Sequence, residues 1–112
     1  MMSQQDPTAK PEEIFTEISR ALSAKNESVE KGQMFGMPCI KANRKAFAGL
    51  FEDTMVFKLS GDAHAQALAL QGSQLFDPSE RGRPMKEWVQ VPFSHSEAWP
   101  ALAEKALEYV GK

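Results

Sequence analysis

Cysteine is almost missing from this chain: Cys39 stands alone among 112 residues. A single thiol cannot close an intramolecular disulfide. Histidine is nearly as scarce. His64 and His95 are far apart, and neither belongs to an HxxxH, CxxC or HxE spacing that would gather ligands on one element, so no metal site is expected. Glycines form neither GxGxxG nor a phosphate loop, and no cofactor is expected. No run approaches the roughly 18 apolar residues that a membrane span needs. The opening MMSQQDPTAK lacks the basic start and apolar core of a secretory signal, so the expected location is cytoplasmic, away from membranes. Charge of one sign is also lacking. Thirteen Lys plus Arg against fifteen Asp plus Glu give −2, and no global field draws the chain onto nucleic acid or anionic lipid.

What is present suits one ordinary domain. With 42% hydrophobic and 25% charged residues the chain sits at globular averages. Residues 1–9 are polar and read as a flexible tail, leaving 10–112 as a single domain. Pro11, Glu12 and Glu13 suit a helix N-terminus, and Ile14, Ile18, Ala21 and Leu22 recur at helical spacing, which predicts a helix over Pro11–Lys25 with Asn26 as a left-handed stop. QMFGMPCIK, KAFAGLF and TMVFKL then predict three strands, with Phe47, Phe51, Met55, Phe57 and Leu59 on one core face. Gly36, Gly49 and Pro38 are awkward in strands and suggest bulges, or an edge position for Pro38. A short helix follows, capped by Asp62 and ended by Gly72. QLF and EWVQVPF read as two more strands around a Pro- and Gly-rich connection, Asp77 to Lys86. Trp99, Leu102, Ala103, Ala106, Leu107 and Val110 form a clean final helical stripe, with Ser96 as its cap and Pro100 in its first turn. The expected fold is α+β: helix, three strands, helix, two strands, helix, with a mainly antiparallel sheet covered by helices. The strands are apolar on both sides, which suggests an uncovered face available to a second copy.

Few residues promise chemistry. Cys39 lies between Pro38 and Ile40 in an expected strand and reads as a small hydrophobe, since a nucleophile would need a pKa lowered by a nearby base or helix terminus. Ser94-His95-Ser96-Glu97 has the letters of a hydrolase, but neighbours in a strand-to-helix turn point in different directions and cannot form a relay. No catalytic residue is assigned. Basic residues cluster twice: Lys41, Arg44 and Lys45 in one hairpin, and Arg81, Arg83 and Lys86 in the long connection. If the fold brings these together they could contact phosphates or an acidic protein patch. Solvated turns are the plainer reading, because Glu80, Glu87, Glu52 and Asp53 dilute the field and no aromatic is interleaved for base stacking.

Met34-Phe35-Gly36, the strand Lys45-Ala46-Phe47-Ala48-Gly49-Leu50, and Gly82-Arg83-Pro84-Met85 before an aromatic strand ending in Pro92 together resemble the N-terminal domain of the TfoX/Sxy family, over roughly Lys31 to Val110. The resemblance implies an α+β domain of a kind also seen in secretion-chaperone-like folds, and no enzyme. In the family's full-length regulators this domain accompanies a C-terminal helical domain and takes part in control of competence genes alongside a transcription factor. Here the chain reaches only Lys112, which implies a stand-alone domain. The expected function is a non-enzymatic regulatory or protein-interaction domain with a protein partner or a homodimer. The alternative is a weak nucleic-acid-binding accessory using loops 41–45 and 81–86, and nucleic acid is the less favoured partner.

Overall fold

A computed structural model describes residues 10–34, 36–77 and 85–111. Helix α1 (Pro11–Lys25) has the expected bounds. Pro11 sits in the first turn, where its missing N–H costs nothing, and the Glu13 carboxylate accepts the Lys10 backbone N–H at 3.1 Å. Its buried stripe is Phe15, Ile18, Ser19 and Leu22, so Phe15 carries the packing expected of Ala21, which is exposed. Asn26 does not take the left-handed conformation expected of it. Its φ is −146°, and its side-chain oxygen instead accepts the backbone N–H and hydroxyl of Ser28 at 2.9 and 2.7 Å. That local turn stops the helix without positive φ.

The strands are β1 (Val29–Met34), β2 (Met37–Ala42), β3 (Lys45–Phe51), β4 (Thr54–Lys58), β5 (Gln74–Phe76) and β6 (Met85–Val91). They form one antiparallel sheet in the order β1-β2-β3-β4-β6-β5. QMFGMPCIK is therefore two strands and not one. Gly36, with φ +75°, turns the chain, and Met34 pairs with Met37 across it. Pro38 is not on an edge, because β2 lies between β1 and β3. It sits where the β2–β3 ladder has already ended at Cys39↔Gly49, so no donor is required of it.

The bulge expected at Gly49 lies elsewhere. Pairing steps from Ile40↔Ala48 to Lys41↔Ala46 and leaves Phe47 as the extra residue. Phe47 and Ala48 both join the larger core, and the face of every later residue in β3 is inverted relative to simple alternation. Phe51 consequently lands on the opposite face from Phe47, against the expectation, while Met55, Phe57 and Leu59 do share the Phe47 side.

Helix α2 (Gly61–Ala69) begins after Ser60 and not at Asp62, which lies in its first turn. It ends before Leu70, and Gly72 makes the following turn with φ +90°. A short 3-10 helix (Phe93–Ala98) then leads into α3 (Trp99–Val110). Ser96 is within that 3-10 segment, so Ala98 and not Ser96 is the N-cap of α3, while Pro100 is in the first turn as expected. All three helices contribute to one core, with Phe15, Ile18 and Leu22 of α1, Ala67 of α2, and Trp99, Ala103, Ala106 and Val110 of α3 packed on Ile40, Phe47, Leu50, Met55, Phe57, Val89 and Val91. Burying aliphatic and aromatic side chains of this size contributes about 1.5–3 kcal/mol each. The chain is thus a single α+β domain with helices on one side of the sheet.

Candidate functional site: the helix-free sheet face and its basic end

The opposite face of the sheet carries its own small cluster: Met37, Val56, Phe76 and Trp88 are buried, with Met34, Ala46, Phe51 and Met85 half-buried against them. No described helix residue belongs to it. Phe51 and Phe76 meet edge to face at 5.2 Å. Register pairs Gly32 with Cys39, Cys39 with Gly49 and Gly49 with Val56, so a row of small residues crosses β1 to β3. Long side chains lie flat over it. A Cβ on Gly49 would stand 2.6 Å from the Met37 methyl, and one on Gly32 would stand 2.8 Å from Cε of Lys41. The two glycines thereby keep this face shallow, and methionines, which adapt their shape readily, form much of its surface. Cys39 is fully buried in that row. Burial raises its thiol pKa, and the Lys41 charge opposes the shift without cancelling it, so the thiolate that a nucleophile requires is disfavoured.

The basic residues fall at one end of this sheet. Asn43 and Arg44 turn β2 into β3 with φ of 51° and 70°. This is the two-residue hairpin geometry in which glycine is favoured, and an arginine there costs conformational energy while projecting a cation at the tip. Lys45 opens β3, Lys58 closes β4, and Lys86 follows Met85 at the start of β6. Since β4 and β6 pair Lys58 with Trp88, the start of β6 is at the same end as the Asn43–Arg44 turn. β3 and β6 are separated only by β4, or about 10 Å. Arg81 and Arg83 lie outside the described residues. The structure therefore brings Lys41, Arg44, Lys45 and Lys86 to one end of the sheet and adds Lys58, which sequence reasoning did not single out.

Of the four acids expected to dilute the field, Glu80 lies outside the described residues. Glu52 and Asp53 form the β3–β4 turn at the far end of the sheet, with φ of 56° at Glu52. Glu87 does lie among the cations: its carboxylate is 3.7 Å from Lys58 Nζ and accepts the Tyr109 hydroxyl at 2.8 Å. That hydrogen bond, with burial and the carboxylate charge, raises the Tyr109 pKa. Both histidines are tied to main chain. His64 Nε2 meets the Lys86 carbonyl at 2.7 Å and His95 Nε2 meets that of Gln71 at 2.8 Å, so each fastens a helix-side segment to a loop or strand. Among the described residues no three of His, Cys, Asp and Glu are placed to hold a metal ion, and no helix is long and apolar enough to cross a membrane.

The helix-free side is thus a shallow sheet face with a cationic hairpin at one end and a buried thiol beneath it. The TfoX N-terminal domain family matches residues 21–109. This chain belongs to that family. The match runs from the end of α1 to the last turn of α3, so the sheet, its helix-free face and the basic end all lie inside the TfoX N-terminal domain. No curated protein and no solved structure matches the chain.

Proposed function

We propose that this TfoX N-terminal domain is a non-enzymatic regulatory or protein-interaction domain, with its contact surface on the helix-free sheet face and the adjoining basic end, and with a protein partner or a second copy of itself as ligand. The observation that carries the reading is the layering: among the described residues, the three α-helices pack on one side of the sheet, and the other side is a shallow, methionine-rich surface. The family is one of non-catalytic domains, and Cys39, the one thiol, is buried with a raised pKa. A cytoplasmic setting belongs to the same reading; residues 1–9, expected as a tail, lie outside the described residues.

The test is an affinity pull-down of the tagged chain from its own cell lysate, with and without nuclease. Beside it run a Met34→Glu variant of the face and an Arg44→Ala/Lys45→Ala/Lys86→Ala variant of the basic end. A protein that survives nuclease and is lost with Met34→Glu supports the reading. Equal recovery on both variants and on the unmodified chain rules out this surface.

The placement of Lys41, Arg44, Lys45 and Lys86 at one end of the sheet supports a second reading, a weak nucleic-acid-binding accessory using loops 41–45 and 81–86. It predicts an affinity that falls steeply with salt and is lost on replacing Arg81, Arg83 and Lys86. Absence of binding at every salt concentration would remove it.

A further inference from the structure

The two edges of the sheet differ. β5 has three residues and a register shift between Leu75 and Phe76, which blunts it against further pairing. β1 has six residues, no proline, and an unbroken register with β2 from Val29↔Ala42 to Met34↔Met37. Antiparallel partners alternate between hydrogen-bonded and non-hydrogen-bonded pairs, and the pair that closes a two-residue turn is bonded. Met34, Gly32 and Glu30 therefore bond to β2. The Asn43 N–H donating to the Ser28 carbonyl at 3.2 Å continues the same phase. The main-chain groups of Lys31 and Gln33 point away from the sheet. Val29 has its N–H engaged with the Asn26 carbonyl at 3.1 Å, so among the described residues the open stretch is Lys31 to Gln33.

Glu30 and Lys31 place charge on this edge, which ordinarily discourages pairing, so an occupant must match those charges. A second copy does. With Lys31 opposite Gln33 of the second copy, the outward groups of both strands meet, and Gly32 falls opposite its own counterpart on a two-fold axis. That central pair is of the narrow, non-hydrogen-bonded kind, with Cα atoms about 4.5 Å apart. Gly32 brings no side chain of its own there. The Lys41 chain crosses it instead, with Nζ 3.3 Å from where a Cβ of Gly32 would stand. Neither Lys41 nor Glu30 takes part in an ion pair among the described residues. Across the axis, Glu30 of the second copy lies diagonally beside that ammonium group, and two lysines with two glutamates form a closed, neutral cluster.

We propose that β1 pairs antiparallel with β1 of a second copy about Gly32, continuing the sheet and joining the two helix-free faces into one surface. This deepens the interaction-domain reading by naming a second copy as the occupant of the open edge.

The test is sedimentation velocity and light scattering on the full chain, unmodified and as Glu30→Lys and Lys41→Glu. The unmodified chain is expected at twice the chain mass. Each variant alone, with four like charges round the axis, is expected to dimerise at least tenfold more weakly. An equimolar mixture restores two cations and two anions and is expected to dimerise like the parent, a result that contacts inside one copy cannot produce. Lys31→Pro, which removes an outward N–H that β2 does not use, is expected to be monomeric with an unchanged circular dichroism spectrum. A monomeric parent up to millimolar concentration, variants that dimerise like the parent, or a mixture no better than its components would each overturn the pairing. A monomer that still captures a protein partner in the pull-down leaves the interaction-domain reading standing, so the two can fail separately.

Discussion

The two faces of one sheet are built to different specifications. On the helix side, Phe47, Phe57 and Trp99 are completely buried and three helices close over them. On the other side the apolar cluster is small, its rim of Met34, Phe51 and Met85 is half-exposed, and glycines at positions 32 and 49 let side chains lie flat. Depth of packing fixes the fold, while the shallow side leaves Met34, Phe51 and Met85 only half-covered among the described residues. The single extra residue at Phe47 separates the two roles, because it sends Phe47 and Phe51 to opposite faces.

The comparison is sharpest with those two phenylalanines. Phe47→Ala is expected to cost about 3–5 kcal/mol in a urea melt, since it opens a cavity under the helices. Phe51→Ala, on the rim, is expected to cost about 1–2 kcal/mol. Equal costs would mean that both faces are structural core. Next in size, Gly49→Ala should destabilise by about 1–3 kcal/mol, because the new methyl meets Met37 at 2.6 Å and the Pro38 carbonyl at 3.3 Å. Adding Met37→Ala should recover part of that loss; no recovery would show that Met37 does not lie across Gly49.

Arg44→Gly should stabilise by about 0.5–1 kcal/mol by relieving the positive φ of 70°. If the tip serves a partner, the same change lowers capture in the pull-down, so stability and binding move in opposite directions. The smallest effect concerns Tyr109. Its pKa is raised in the folded chain, chiefly by donation to Glu87, so its contribution is complete below the ordinary phenol value and is lost as pH rises through the folded value. Urea melts from about pH 8 to about pH 11 should show stability falling at the alkaline end, and Tyr109→Phe should flatten that fall.

Much of this was legible in the sequence. α1 and α3 announce themselves by periodicity, QLF by its apolar character, and Cys39 reads as buried from its apolar neighbours; β6 is Met85–Val91 and not EWVQVPF, since Pro92 and Phe93 leave the ladder for the 3-10 segment. The misreadings have local causes. VEKGQM has little β-propensity and took its strand character from pairing with MPCIKA, so the turn at Gly36 was hidden inside one apolar run. The Phe47 bulge depends on register with β2, which no single strand encodes. Asp62 and Ser96 look like caps, yet Ser60 and Ala98 hold those places because the sheet and the 3-10 segment decide where each helix can begin. The basic cluster was half visible: the lysines and arginines could be named, but only strand order puts Lys45, Lys58 and Lys86 at one end and moves Glu52 and Asp53 to the other. The open edge at Lys31 and Gln33 had no signal at all, because the outward direction of a backbone N–H is a property of the ladder.

The most direct test of contact through the open edge of the shallow face is residue-resolved amide exchange by NMR, at micromolar and at millimolar chain. The account predicts that Gly32, bonded to β2, is protected at both concentrations, while Lys31 and Gln33 exchange quickly in dilute solution and become protected in concentrated solution. Fast exchange at Lys31 and Gln33 at both concentrations would contradict it.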